Sequence, residues 1–194
     1  MSTTFRAARG VLLSFGLLVL LIAGGMLACR YEIGYYRHRQ WIDAAATRYQ
    51  VHPRLIAAVI WRESRFNPLC RGKAGELGFM QIMPGSAREW AKAEGMPAFD
   101  PESLLDPGTN ILAGTWYLGR AIRRWNSQPD PLPYALAEYN AGRSNVIRWD
   151  RLTDLNAKSF TEVISYPTTR AYVKTVLRYY KSFGRPWERW GSEP

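Results

Sequence analysis

Glu63 is the residue whose position asks for an explanation. Ile56, Val59 and Ile60 recur at the spacing of one helical face, and Glu63 takes the next place on it, where the period favours Leu or Ile. A carboxyl group held among apolar neighbours is harder to ionise, so it keeps its proton to higher pH than a solvated glutamate does. A general acid working near neutrality needs that property. The same spacing also fits a plainer arrangement, with Glu63 turned to solvent or paired with Arg62, Arg65 or Arg71. Further carboxyls stand at Glu76, Asp100 and Glu138, at distances from Glu63 that the chain order alone does not give.

Other chemistry is sparse. The only cysteines are Cys29 and Cys70, and the only histidines are His38 and His52. They have neither the spacing of metal ligands nor that of a disulfide framework, so no metal site is expected.

The elements that must position Glu63 are helical almost throughout. Trp41, Ile42, Ala45, Ala46 and Tyr49 share one helical face. Pro53 suits the first turn of the helix that carries Glu63, and Asn67-Pro68 ends that region. Gly72, Gly75 and Gly78 mark residues 69–81 as a loop with room for a short strand. A helix then starts near Pro84, with Ser86 and Glu89 at capping-box spacing and Gly95 as its stop. Asp106-Pro107 opens a helix through Ile111, Thr115, Leu118, Ile122 and Trp125. Pro129, Pro131 and Pro133 precede a short helix ending at Ala141-Gly142, and a last helix runs from about Thr169 to Phe183. No period-two alternation is sustained, so the class is mainly α. The tryptophans and tyrosines could offer stacking platforms for sugars, but Trp116, Trp125, Tyr134 and Tyr180 lie among apolar helical neighbours and fit a core better.

Between Arg9 and Arg30 the chain is uncharged and strongly apolar, long enough as a helix to span about 30 Å of hydrocarbon. Three readings fit it: an uncleaved signal anchor, a cleaved secretory signal, or a lipoprotein signal in which Met26-Leu27-Ala28-Cys29 is a loose lipobox with Cys29 lipidated. Each exports the remainder of the chain. The expected organisation is a membrane anchor or signal over 1–30, a linker over 31–40, one domain over 41–183 and a tail over 184–194.

Four blocks in order set the odds for Glu63. They are Trp61-Arg62-Glu63-Ser64-Arg65-Phe66-Asn67-Pro68, then Gly75-Glu76-Leu77-Gly78-Phe79-Met80-Gln81-Ile82-Met83-Pro84, then Ala137-Glu138-Tyr139-Asn140-Ala141-Gly142, and Thr169-Arg170-Ala171-Tyr172-Val173. Together they resemble the catalytic domain of the soluble lytic transglycosylases, over about Trp41 to Phe183. The resemblance implies a lysozyme-like single domain behind the N-terminal transmembrane or signal helix. It implies Glu63 as the single catalytic acid/base, with Ser64, Met80, Gln81, Tyr139, Asn140 and Tyr172 on the substrate side. Met80 and Gln81 would line a glycan cleft, Tyr139 would orient the acid, Asn140 would shape its turn and Tyr172 would face the same cleft. It implies cleavage between N-acetylmuramic acid and N-acetylglucosamine with closure of a 1,6-anhydro ring, without cofactor. Hydrolysis of the goose-type-lysozyme or chitinase kind and a non-catalytic wall-binding scaffold are the alternatives.

The chain departs from the family pattern at four places. Glu76 stands where alanine is common, Phe79 replaces leucine, Thr168 stands for glutamate and Ser165 for proline. Glu76 matters most, because a second carboxylate near the cleft could activate water. The formal charge is +10, from 26 basic and 16 acidic residues, which suits an anionic polymer or surface. The partners expected are peptidoglycan glycan strands, the membrane through the N-terminal helix, and cell-envelope machinery. Export and the lack of a basic-aromatic strand motif argue against nucleic acid. The expected location is the periplasmic face of the inner membrane.

Overall fold

A computed structural model describes residues 2–156 and 159–182, and the tail expected over 184–194 lies outside the described residues. The chain divides into two compact units, Met1–Arg37 and His38–Pro194. In the first, helix α1 (Ser2–Tyr49) presents Phe15, Leu17, Leu18, Val19, Ile22 and Met26 on its surface. Among the described residues, it is the one helix long and apolar enough to cross a membrane. The stretch 31–40, expected as a linker, is helical and continuous with α1. It contains no proline, and Gly34 alone costs only about 1 kcal/mol of helix propensity.

In the second unit the end of α1 buries Ile42, Ala45 and Tyr49. Trp41 lies at the edge of that face rather than on it, 42% exposed, with its ring against Gly108. Helix α2 (Pro53–Ser64) follows a turn in which His52 Nδ1 accepts from the Arg54 N–H at 3.2 Å. Pro53 fills the first turn, where its missing N–H costs nothing. Every residue from Leu55 to Trp61 is buried, so α2 is enclosed on all sides rather than laid on a surface. Each fully buried Leu or Ile there contributes roughly 1.5–3 kcal/mol.

Among the described residues, six further helices and a 3₁₀ turn complete the unit. These are α3 (Pro84–Ala93), a 3₁₀ turn (Pro101–Leu105), α4 (Pro107–Arg124), α5 (Pro131–Ala141), α6 (Arg143–Asn156), α7 (Phe160–Val163) and α8 (Pro167–Ser182). Helix α8 packs along α2, and α5 packs on both α4 and α8. Asp106 caps α4 as expected, its carboxylate accepting from the Thr109 N–H at 2.8 Å. The capping box expected at Ser86 and Glu89 does not form. Met83 occupies the N-cap of α3 without a side-chain bond, because Pro84 already fixes the first helical residue. Ile122 is only half-buried, at the margin of the α4 stripe. Among the described residues there is no named strand; the loop after α2 forms isolated bridges between Arg71 and Leu77 and between Leu77 and Ile82.

Candidate active site

Glu63 rides on the last turn of α2. The helix stops one residue later because Arg65 and Phe66 both take left-handed conformations, φ 55° and 59°. Such angles are costly for side chains of that size and persist only where packing enforces them. Here the enforcing contacts are aromatic. The Phe66 ring meets Phe79 and Trp61, and the Arg65 guanidinium lies over Trp61 at 4.7 Å and Tyr179 at 6.0 Å.

These contacts decide between the two arrangements open to Glu63. Arg65 is engaged elsewhere, and Arg71 pairs with Glu102 at 2.7 Å. Among the described residues, Glu63 makes no ion pair. It is half-buried, and burial pushes its pKa up to about 7, with the Glu76 charge adding to the rise. The Tyr172 hydroxyl and the Arg62 guanidinium pull the other way without reversing it. Glu63 is therefore about half protonated at neutrality, where a solvated glutamate would be almost wholly ionised.

Two tyrosines flank the carboxyl. Burial and the neighbouring Glu63 hold both Tyr139 and Tyr172 well above the usual phenol range, so both hydroxyls stay protonated as donors. Tyr172 comes from α8, and the Arg62 guanidinium lies over its ring at 5.4 Å. Its buried hydroxyl interacts with Glu63 but makes no hydrogen bond of ordinary geometry among the described residues. Tyr139, on the last turn of α5, donates to the Met80 carbonyl at 2.8 Å.

The loop facing Glu63 is held by backbone and amide bonds. Leu77 and Ile82 exchange two hydrogen bonds of 3.0 Å, and the Gly78 N–H reaches the Cys70 carbonyl at 2.8 Å. Gly78 has φ 73°, and a Cβ there would fall 2.2 Å from Asn110 Nδ2 and 2.3 Å from the Leu104 carbonyl, so only glycine fits. Asn110, wholly buried in α4, accepts from the Met80 N–H at 2.7 Å. It also donates to the Leu77 and Leu104 carbonyls at 2.8 and 2.7 Å. One amide thus clamps three backbone groups.

Several expected substrate contacts take other roles. Met80 has no exposed surface; its side chain enters the core against Gly114 and Thr115, and only its backbone faces the site. The Ser64 hydroxyl is buried and donates to the Ile60 carbonyl of its own helix at 3.2 Å, where the helix end leaves that acceptor within reach. Asn140 is exposed, and the turn after α5 is secured instead by Gly142 N–H to Glu138 O and by Asn145 Nδ2 to Ala141 O, each 2.8 Å. Gln81 is half-buried, its Nε2 donating to the Cys70 and Gly78 carbonyls. Glu138 is taken by Arg124 and by Trp125 Nε1, and Asp100 caps the 3₁₀ turn through the Glu102 N–H. Of the further acids, Glu76 is left as the neighbour that Glu63 senses.

Sequence reasoning missed Asn110, and it read Gly72 only as a loop marker. Asn110 carried a signal: a polar residue beside Ile111, one turn into a helix whose inner stripe was already plain. Among the described residues, no three His, Cys, Asp or Glu gather as a metal would need.

A carboxyl that titrates near neutrality, flanked by two tyrosines and beside a polar loop, is arranged to pass a proton to a bound oxygen and take one back. Comparisons with known proteins bear on which oxygen. The family model described as Transglycosylase SLT domain matches residues 40–160. The soluble lytic murein transglycosylase of Escherichia coli K12 is 38% identical over 125 residues, 63% of this chain and 19% of that protein. The membrane-bound lytic murein transglycosylase F of Desulfosudis oleivorans is 36% identical over 113 residues, 57% of this chain and 23% of that protein. Among solved structures, the 70 kDa soluble lytic transglycosylase of Escherichia coli superposes with TM-score 0.67 at 32% identity, over 75% of this chain and 24% of that one. An inactive mutant of lytic transglycosylase Slt from Pseudomonas aeruginosa, with a glutamate replaced by glutamine, gives TM-score 0.68 at 30% identity, over 78% and 24%. The chain thus spans about a fifth to a quarter of these relatives' length.

Proposed function

The chain belongs to the transglycosylase SLT domain family, and from that membership we propose that it is a membrane-anchored lytic transglycosylase of peptidoglycan with Glu63 as its acid and then its base. The observation that carries the reading is the placement of Glu63, half-buried at the end of α2 and flanked by Tyr139 and Tyr172. It makes no ion pair among the described residues, and burial raises its pKa. The inactivating glutamate-to-glutamine change in the Pseudomonas aeruginosa relative supports a glutamate in this role.

In the proposed reaction, protonated Glu63 gives its proton to the glycosidic oxygen between N-acetylmuramic acid and N-acetylglucosamine as the C1–O bond breaks. The leaving sugar departs as an alcohol. The substrate's own N-acetyl oxygen stabilises the positive centre at C1, which is why one carboxyl suffices. Glu63, now a carboxylate, takes the proton from the C6 hydroxyl while that oxygen closes on C1. A 1,6-anhydro ring results, Glu63 is again protonated and no water is consumed. The Tyr172 hydroxyl, whose proton has no other acceptor among the described residues, supplies a donor to the carboxylate formed midway, while Tyr139 gives its proton to the Met80 carbonyl.

Helix α1 would anchor the chain in the inner membrane with the His38–Pro194 unit on the periplasmic face. Its exposed apolar surface and the membrane-bound relatives support this placement. The test is digestion of purified sacculi by the detergent-solubilised full chain, with Glu63→Gln as control. Release of muropeptides by the parent and none by the variant is expected. Equal release by both would remove Glu63 from the mechanism.

A further inference from the structure

Glu76 is the departure from the family pattern that the proposed reaction does not use. It is also held in a defined pose. The Gly72 N–H donates to the Glu76 carbonyl at 2.8 Å, and the Ala74 N–H donates to Glu76 Oε2 at 3.0 Å. A Cβ built on Gly72 would lie 2.0 Å from Glu76 Oε2 and 2.9 Å from Gln81 Oε1. Both oxygens therefore lean over the bare Cα of Gly72, no further apart than those two distances laid end to end.

Gln81 cannot turn its amide to relieve this. Its nitrogen faces two carbonyl oxygens, Cys70 O at 3.1 Å and Gly78 O at 2.8 Å, and only an N–H group can satisfy both. The Gln81 backbone is fixed as well, at φ 50°. Gln81 Oε1 accepts no hydrogen bond among the described residues. Two acceptors facing each other in a half-buried place repel unless a donor lies between them. Glu63 lies near enough to feel the Glu76 charge.

We propose that Glu76 is a specificity-determining residue: its carboxylate and the Gln81 side-chain carbonyl, converging over Gly72, accept a hydroxyl or amide N–H donor of the amino-sugar strand bound beside Glu63. The inference rests on the glycan reading above. An N-acetylated sugar carries both donor types on one ring, an amide N–H at C2 and a free hydroxyl at a neighbouring position, whereas a purely apolar ligand would leave both acceptors bare. Glycine at 72 is what admits the pair, since alanine would press directly on the carboxylate.

The test uses the full chain in detergent with Glu63→Gln to stop turnover, and a peptide-free N-acetylglucosamine oligosaccharide as probe. Adding Glu76→Ala should weaken binding about tenfold or more, the worth of one hydrogen bond to a charged group. Adding Glu76→Gln keeps an acceptor and should recover most of the affinity. Adding Gly72→Ala, which displaces both oxygens, should match Glu76→Ala. With Glu63 intact, Glu76→Ala should raise KM more than it lowers kcat, and its pH profile should lose activity at lower pH than the parent. Affinity unchanged by Glu76→Ala overturns the inference and leaves the reaction untouched. An unchanged KM with products shifted from reducing ends in the parent to anhydro ends in Glu76→Ala overturns the inference and the proposed reaction together, since Glu76 would then hold the attacking water. A parent that clears no wall and binds no oligosaccharide overturns both readings.

Discussion

The Tyr139 hydroxyl donates to the Met80 main-chain carbonyl across 2.8 Å, tying the last turn of α5 to the loop that faces Glu63. The loop therefore has two restraints at one residue, since the Met80 N–H is held by Asn110 from the other side. Tyr139→Phe removes only the first. The expected cost is about 1 kcal/mol of stability, the net worth of one hydrogen bond. A severalfold loss of turnover should accompany it as the loop beside Glu63 loosens. Thermal unfolding and sacculus digestion on the same sample check both; full activity would mean that the hydroxyl serves the fold alone.

Asn110→Ala should be far more damaging. It leaves the Met80 N–H and the Leu77 and Leu104 carbonyls buried without partners. Roughly 2–4 kcal/mol is expected, because unsatisfied buried groups cost their full desolvation. Urea unfolding measures it, and a change below about 1 kcal/mol would mean that water reaches the clamp.

The acid role of Glu63 sets a pH limb. Its protonated form acts first, so kcat/KM should fall as pH rises through about 7. A profile still rising at pH 9 would show that the group was already ionised in the free protein.

Stability should follow the same proton with a definite sign. The folded chain holds it to about 7, against 4.5 for a solvated glutamate. Between those values the folded state binds more protons than the unfolded, so stability falls as pH rises. The contribution is intact below about 4.5 and lost above about 7. Glu63→Gln should therefore match the parent at pH 4 and exceed it at pH 8, by about 1–3 kcal/mol. Equal stability at both pH values would mean that the carboxyl is solvated.

Much of the frame was legible in the chain. Pro53 and Pro107 open helices, and Asp106 caps one, because these residues fix their backbone locally whatever packs against them, whereas Pro131 and Pro133, expected ahead of α5, lie in its first turn. The same local logic failed at Ser86, where Pro84 had already set the helix start. Helix α6 went unread although Val146 and Trp149 are buried three apart, since the charged residues around them, Arg143, Arg148, Asp150 and Arg151, hide so narrow a stripe. At the site, Glu63 stood out because it breaks an apolar face. Met80 and Ser64 misled because a motif gives position along the chain, whereas the direction of a side chain depends on its neighbours. The space beside Gly114 draws Met80 inward, and the Ile60 carbonyl captures the Ser64 hydroxyl. Gly72 carries no local sign of the two oxygens it admits.

The most direct measurement is mass spectrometry of the soluble fragments released from sacculi by the full chain. One carboxyl acting as acid and then base predicts 1,6-anhydromuramic ends, each lighter by one water than a reducing end. Fragments bearing only reducing ends would contradict it and make water the attacking group.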